Sequence, residues 1–371
     1  MSSDISYKKQ IVFSAIVLVV FICVLELLVR LIFVPNPILN INIGAFRDFH
    51  PTREIQLKPN YRAGGISINS HGILGPEFTI QKKSNVIRVV TFGDSVTFGP
   101  LDGNYPKLIE QKINAKLESI NNKLTVEVIC AAIPGYSSNQ SLLWYDEFLH
   151  KLKPDITTIY LGWNDCGQFH PFSLRYKNER NYSKNRIAYR KETVLGKLMK
   201  HIYLLRVPYF FLGRMERNKK VDLSPLTERE KQIISSFYPI HYQENLIQLI
   251  NKLQVAECKV FLYSLTSLLS PSPTKRELGI LHFPRGMNKK LLLFSGVLNK
   301  YKEALNVVSN QTKTPIIDLD QLITSPEQRI IFTDTMHINK RGAEQYANLI
   351  SNRILKQIRN NHKSLQANHT N

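Results

Sequence analysis

The stretch Arg88-Val89-Val90-Thr91-Phe92-Gly93-Asp94-Ser95-Val96-Thr97-Phe98-Gly99 is an apolar, β-branched run that stops at Gly-Asp-Ser, just ahead of a segment of helical character. A continuous apolar run of this kind suits a strand buried on both faces, as in a parallel sheet. A serine at the carboxyl end of such a strand lies in the crevice where open α/β sheets bind ligands, with a helix N-terminus behind it to favour negative charge. The same tripeptide also suits an ordinary turn, in which Gly supplies a positive φ and Asp and Ser bond their own backbone. Partners elsewhere in the chain have to decide between a nucleophile and a turn.

Working outward, further strand-like runs occur at Thr125 to Cys130, Ile156 to Leu161, Val260 to Ser264 and Pro315 to Leu319, beside the first run at Val86 to Phe92. They alternate with amphipathic helical runs at Tyr105 to Ile120, Ser141 to Leu152, His241 to Leu253, Leu291 to Val308 and Arg341 to Ile358. Alternation of this sort predicts a three-layer α/β/α domain over residues 86–358, with a flavodoxin-like five-stranded parallel sheet covered on both faces. No period of twenty to fifty residues repeats, and 371 residues accommodate one catalytic domain with attachments.

The other strand ends carry the candidate partners. Near the C-terminus, Phe332-Thr333-Asp334-Thr335-Met336-His337-Ile338-Asn339 places an acid and a histidine three residues apart. A serine hydroxyl is a poor nucleophile at neutral pH, so it needs an imidazole to take its proton and a carboxylate to fix the imidazole tautomer. Alternatively, Asp334 caps the last helix and His337 is a surface residue. Ala131-Ala132-Ile133-Pro134-Gly135-Tyr136 and Gly162-Trp163-Asn164-Asp165 follow the second and third strand runs. A glycine N–H and an Asn amide are suitable donors to a developing oxyanion, although Gly135 also reads as a turn glycine and Asn164-Asp165 as a helix cap.

Four such loops in this order resemble the GDSL-type, or SGNH, hydrolase superfamily, whose short blocks carry a Ser, a Gly, an Asn and a His. The resemblance runs from about Val86 to Ile358. It implies Ser95 as nucleophile, Asp334 and His337 as orienter and base, and an oxyanion hole formed by the backbone N–H groups of Ser95 and Gly135 with the Asn164 side chain. The second block departs from the pattern, because Cys130 stands where many members carry an Asn. No cofactor is implied. Members commonly act on acyl sugars, so the expected substrate is an O-acyl ester, above all acetyl, on an envelope or exported glycan. A lipid or lysophospholipid ester and acyl transfer to another hydroxyl use the same residues. A catalytically idle scaffold among polysaccharide-assembly proteins is the reading from another class, since fold alone does not establish function.

Ile11 to Phe33 is almost uninterrupted apolar sequence, broken by Ser14, Glu26 and Arg30. A bilayer core of about 30 Å needs about 20 apolar residues, and no Ala-x-Ala cleavage pattern follows. The segment reads as an uncleaved signal anchor after a short tail of residues 1–10, with a buried core helix as the alternative. Glu26 and Arg30 lie one turn apart and are placed to pair. Lys8 and Lys9 on one side, with Arg30, Arg47 and Arg53 on the other, leave the positive-inside count balanced. Resemblance to anchored members implies an extracytoplasmic enzyme. Residues 34–85, rich in Pro, Asn and Gly, are expected to pack on the domain, and 359–371 to form a polar tail.

The chain carries a formal charge of +20, which concentrates in the segment Cys166 to Pro239, with over half of it inside Pro171 to Lys220. Pro171 to Lys220 holds 14 Lys or Arg against 3 Glu, a surplus of 11, interleaved with Tyr176, Tyr182, Tyr189, Tyr203, Tyr209, Phe210 and Phe211. This insertion is expected to overhang the site and bind an anionic substrate or lipid headgroup, or else to be a solvated helical insertion. Nucleic acid is not an expected partner, because no nucleic-acid module is present. Neither Gly-x-Gly-x-x-Gly nor Gly-x-x-x-x-Gly-Lys-Ser/Thr occurs, which argues against a nucleotide fold. No Cys/His spacing suggests zinc. Of four cysteines, Cys130 and Cys166 flank the oxyanion loops and Cys258 precedes a strand, all three read as free buried thiols, with at most one disulfide among them.

Overall fold

The computed structural model describes residues 6–33, 46–100, 103–120, 123–173, 202–207 and 220–368. These belong to two compact units, one formed by residues 1–46 with 184–220 and the other by 47–183 with 221–371. Residues 174–201 and 208–219, which hold most of the basic and aromatic insertion, lie outside the described residues, and so does the expectation that this insertion overhangs the site.

In the larger unit, β1 (Arg47–His50) and β2 (Glu54–Leu57) form an antiparallel hairpin, followed by a small ribbon of β3 (Arg62–Ala63) and β4 (Ile66–Ser67). The parallel sheet comprises β5 (Val86–Gly93), β6 (Thr125–Ala132), β7 (Ile156–Tyr160), β8 (Lys259–Tyr263) and β9 (Ile316–Ile317). Its strand order is β6-β5-β7-β8-β9, the flavodoxin-like order expected, with every neighbouring pair parallel. In β5, Gly93 stands opposite Ala132 of β6 and Tyr160 of β7. That register releases three loops from one level at the carboxyl edge, and the chain path reverses there between β5 and β7.

Helices cover the sheet on both sides. On one side α3 (Tyr105–Glu118) packs against α10 (Lys340–Asn368); on the other α7 (Ile240–Val255) packs against α4 (Ser138–Glu147) and α9 (Leu291–Thr312). Periodicity explains their faces: Ala343, Tyr346, Ala347, Ile350, Ile354 and Ile358 of α10 recur at helical spacing, and all are buried. Among the described residues the unit also holds four shorter α-helices: α2 (Ser95–Phe98), α5 (Trp163–Gln168), α6 (Glu228–Ser236) and α8 (Lys275–Ile280).

Arg88 is the one charged residue in the β5 run, and it is 1% exposed. Its Nε donates to Glu127 Oε2 at 2.6 Å, Nη1 to the Ile80 and Leu152 carbonyls at 2.8 and 2.9 Å, and Nη2 to the Thr79 carbonyl at 2.6 Å. A buried cation is tolerated only when paired and hydrogen-bonded in this way. The Arg88 fan ties the segment before β5 to the base of the sheet. Higher in that segment, the Asn69 side chain accepts from the His71 and Ile73 N–H groups and donates to the Pro76 carbonyl, and Leu74 pairs with Cys130 on the outer edge of β6. Residues 74–80 are thereby fastened to the sheet, and the Asn69 side chain closes the turn ahead of them.

Some boundaries differ from the sequence reading. β9 is only two residues long, because Pro315 has no N–H for the ladder and the chain turns into a 3₁₀ helix at Asp320–Leu322. The helix expected to begin at Ser141 begins at Ser138, where Ser137 and Gln140 form a capping box, and Leu149–Leu152 is a separate 3₁₀ turn. The last helix continues past Ile358 to Asn368, since no Gly or Pro interrupts it.

In the smaller unit, α1 (Tyr7–Phe33) is long and apolar enough to cross a membrane over Tyr7–Leu31, and none of that stretch is buried. Arg30 Nε donates to Glu26 Oε1 at 2.8 Å, as the one-turn spacing led us to expect. Glu26 Oε2 accepts the Leu204 N–H at 2.8 Å, which seats the 3₁₀ turn Tyr203–Arg206 on α1. The four cysteines are unpaired; Cys130, Cys166 and Cys258 are buried, and Cys23 is exposed on α1.

Candidate active site

The nucleophile candidate sits at a crowded backbone crossing. A Cβ on Gly93 would stand 1.9 Å from Thr97 Oγ1, so only glycine lets the strand end turn this sharply into α2. Asp94 caps that helix, its Oδ1 accepting the Val96 N–H at 2.9 Å, and Ser95 is the first helical residue. Because α2 has only four residues, the helix field anticipated behind Ser95 is small, and negative charge there has to be met by individual donors.

The structure brings Ser95, His337 and Asp334 together. His337 Nε2 lies 2.7 Å from Ser95 Oγ, and His337 Nδ1 lies 2.7 Å from Asp334 Oδ2. Asp334 Oδ1 accepts the N–H groups of Met336 and His337, each at 2.9 Å, so the carboxylate closes its own turn while facing the imidazole. The turn is further held by the Thr333 N–H on the His337 carbonyl at 2.8 Å. Buried Thr335 exchanges hydrogen bonds with both backbone groups of His282, at 2.7 and 2.6 Å.

Electrostatics follow from this packing. Burial alone pulls the His337 pKa down, but the bond and charge of Asp334, with Asp94 behind, outweigh it and hold the imidazole above its ordinary value. Burial pushes Asp334 up, and the bonds from His337 and the turn reverse this, leaving it below the usual carboxylate range. Asp94 has no exposed surface, and burial raises it to about 6 against the opposing pull of the Val96 N–H, His337 and Asn164.

Asn164 and Gly135 flank the same strand ends. Asn164 Nδ2 donates to Asp94 Oδ2 at 3.1 Å and to the Tyr136 carbonyl at 3.0 Å, which fixes the amide between the first and second loops. Gly135 has φ +96°, a backbone state that disfavours other residues. Among the described residues, the N–H groups of Ser95 and Gly135 have no backbone acceptor. The neighbouring Asp165 is a buried acceptor rather than a cap, taking the Ser138 N–H at 3.0 Å and the Ser138 hydroxyl at 2.5 Å. Burial raises its pKa. A cleft of about 520 Å³ opens beside Ser95 and His337, lined also by Val96, Pro100, Ile338 and Lys340. Among the described residues, no group of three His, Cys, Asp or Glu side chains is arranged to hold a metal ion.

The sequence reading did not find the Asp94–Asn164 bond or the buried Arg53 and Tyr136 behind the Gly135 loop. Asp94 adjoins Ser95 and reads in the sequence as a turn residue bonding its own backbone, but its bond to Asn164 crosses 70 residues and leaves no periodic trace.

A family model described as GDSL-like lipase/acylhydrolase matches residues 91–345. The chain belongs to the GDSL-like lipase/acylhydrolase family. As a member of that family it is an ester-hydrolysing enzyme. Among solved structures, this GDSL-like enzyme is similar to the acetyl xylan esterase AlAXEase, with 17% identity over 72% of this chain and 100% of that one at TM-score 0.41. It is also similar to a lipase/acylhydrolase from Enterococcus faecalis, with 17% identity over 73% and 96% at TM-score 0.40. TesA aligns with 14% identity over 71% and 95% at TM-score 0.39. A search of curated proteins gave no match.

Proposed function

We propose that this GDSL-like enzyme hydrolyses O-acyl esters, chiefly acetyl, on an envelope or exported glycan, with Ser95 as nucleophile. The observation that carries the catalytic part is the pair of 2.7 Å contacts from Ser95 Oγ to His337 and from His337 to Asp334. Neutral His337 accepts the Ser95 proton at Nε2 as Oγ attacks the ester carbonyl. Asp334 keeps the other proton on Nδ1 and stabilises the imidazolium that forms. The tetrahedral oxyanion is met by the N–H groups of Ser95 and Gly135 and by the Asn164 amide, which shares one of its hydrogens in a three-centre bond. His337 then protonates the departing alkoxide, leaving an acyl-enzyme on Ser95. Water, activated by the same imidazole, attacks the acyl carbonyl and releases the carboxylate and free Ser95.

The apolar, unburied α1 supports a single-pass anchor, which would hold the enzyme beside an envelope substrate; the catalytic domain is placed outside the cytoplasm in this reading. Lys340 and Asn339 on the cleft rim offer polar contacts to a sugar, while Val96, Pro100 and Ile338 offer an apolar wall to the acyl group. That wall also favours a second reading, a lipid or lysophospholipid esterase.

The test is hydrolysis of p-nitrophenyl acetate, butyrate and octanoate by the full chain in detergent, beside its Ser95→Ala variant, followed by acetylated glycans and lysophospholipids. Ser95-dependent turnover that falls with acyl length supports the acetyl reading. Turnover that rises with acyl length transfers the assignment to a lipid ester. A folded protein that neither turns over any ester nor is labelled at Ser95 by a phosphonate refutes the catalytic assignment and favours a scaffold.

A further inference from the structure

The loop bearing Gly135 is gripped from a hairpin that precedes the family-matched residues 91–345. Arg47 Nη1 donates to the Pro134 carbonyl at 2.8 Å. Arg53 Nη1 donates to the Tyr136 phenol oxygen at 2.7 Å, and that phenol donates onward to the Ile55 carbonyl at 2.5 Å. Gln140 Nε2 returns a bond to the Arg53 carbonyl at 2.9 Å.

The guanidinium is itself anchored. Arg53 Nε donates to Glu147 Oε2 at 2.7 Å, and its Cζ lies 5.3 Å from the Trp144 ring centroid. Thr52 and His50 reach the same Glu147 carboxylate. Arg53 is 7% exposed and Tyr136 fully buried, so these bonds are shielded from competing water. Arginine suits the position because its planar fork fixes two acceptors in direction, which a lysine ammonium does not.

The chain of contacts ends at the site. The Tyr136 carbonyl is one of the two acceptors that orient the Asn164 amide, the other being Asp94, and Gly135 is the residue immediately before Tyr136. We propose that Arg53 is a positioning residue for the oxyanion-binding groups, acting through the Tyr136 phenol on the Gly135 N–H and the Asn164 amide. This rests on the assignment of Ser95, Gly135 and Asn164 above. Donors aimed in advance at the developing charge act without reorganising, and a displacement of about 1 Å in such a site costs on the order of 10²-fold. The ester carbonyl in the ground state carries little charge, so the loss falls on turnover rather than on substrate affinity.

The experiment uses the full chain in detergent with p-nitrophenyl acetate, measuring kcat, KM and thermal midpoint for Arg53→Lys, Arg53→Gln, Tyr136→Phe and the Arg53→Gln/Tyr136→Phe double variant, beside Ser95→Ala. Tyr136→Phe removes one oxygen and keeps the ring, so it remains informative even where Arg53→Gln fails to fold. The expected result is a kcat about 10- to 100-fold lower for Tyr136→Phe and Arg53→Gln, with KM within threefold. Arg53→Lys is expected to recover only part of this loss, and the double variant to lose no more than the worse single one. Ser95-dependent hydrolysis with kcat of Tyr136→Phe within twofold of wild type, or a loss expressed only in KM or in the folded fraction, overturns the positioning role and leaves the nucleophile assignment standing. Absence of Ser95-dependent hydrolysis in the wild type overturns both.

Discussion

Replacing Asp334 by Asn separates the tautomer-setting role of this residue from its bulk. In the structure Oδ1 accepts two backbone N–H groups at 2.9 Å, while Oδ2 faces His337 Nδ1 at 2.7 Å. An Asn side chain has one acceptor and one donor end, so it cannot serve both sides. If its oxygen stays on the two N–H groups, its NH₂ points at Nδ1 and forces the histidine proton onto Nε2, facing Ser95. The opposite flip restores the productive tautomer but turns an NH₂ against two N–H donors. At about 1–3 kcal/mol for each unsatisfied group, that flip costs about 2–6 kcal/mol. At about 1.4 kcal/mol per factor of ten, the productive tautomer is depleted about thirty-fold to about twenty-thousand-fold. The assay is kcat/KM on p-nitrophenyl acetate between pH 6 and 8, with the thermal midpoint as control, since the shape of the turn is retained. A folded Asp334→Asn enzyme that loses less than tenfold would falsify the idea that Asp334 sets the His337 tautomer.

Ser95→Ala and His337→Ala are each expected to remove nearly all turnover, and the double variant to lose no more, because the two act as one unit; multiplicative losses would break that unit. The base must be neutral to work and its pKa is held up, so kcat/KM is expected to climb with pH through a value above the ordinary 6.5 or so. Asp94→Asn removes a nearby negative charge that favours the imidazolium, so its acid limb should move to lower pH; a limb that stays in place assigns the shift to Asp334 alone. Asn164→Ala is expected to cost about 10² to 10³ in kcat, and an unchanged rate would assign the oxyanion to the two N–H groups alone. Gly93→Ala forces a Cβ to within 1.9 Å of Thr97 Oγ1 and is expected to destabilise the fold by about 1–3 kcal/mol, read as a lower thermal midpoint; wild-type stability would mean that the Thr97 side chain can yield.

The sheet was legible because parallel strands bury both faces and so leave long β-branched runs, as in Val86–Gly93 and Ile156–Tyr160. Ser95, Asp334 and His337 were legible because each stands at a strand or turn end with its neighbours in a recognisable order. Element boundaries were less so: the Ser137–Gln140 box moved the start of α4 by three residues, a choice made by two side chains rather than by periodicity. What the sequence did not disclose were contacts between distant polar residues. Arg53 and Tyr136 meet across 83 residues, Asp94 and Asn164 across 70, and each residue taken alone looks like turn or surface material. Only the fold decides that an arginine in an irregular Pro- and Asn-rich segment is buried beneath the second loop.

The hairpin of Arg47–His50 and Glu54–Leu57 also bears on how the protein can be shortened. Arg88 and the Leu74–Cys130 bridge bind residues 74–80 to the sheet, Asn69 closes the turn ahead of them, and the hairpin's own partners lie in the Pro134–Glu147 stretch. A truncation at the start of the family match at residue 91 would cut through β5 and discard all of these attachments. A truncation at residue 46 would discard α1 and keep each of them. For expression, crystallisation or grafting onto another anchor, the first residue to preserve is therefore Arg47.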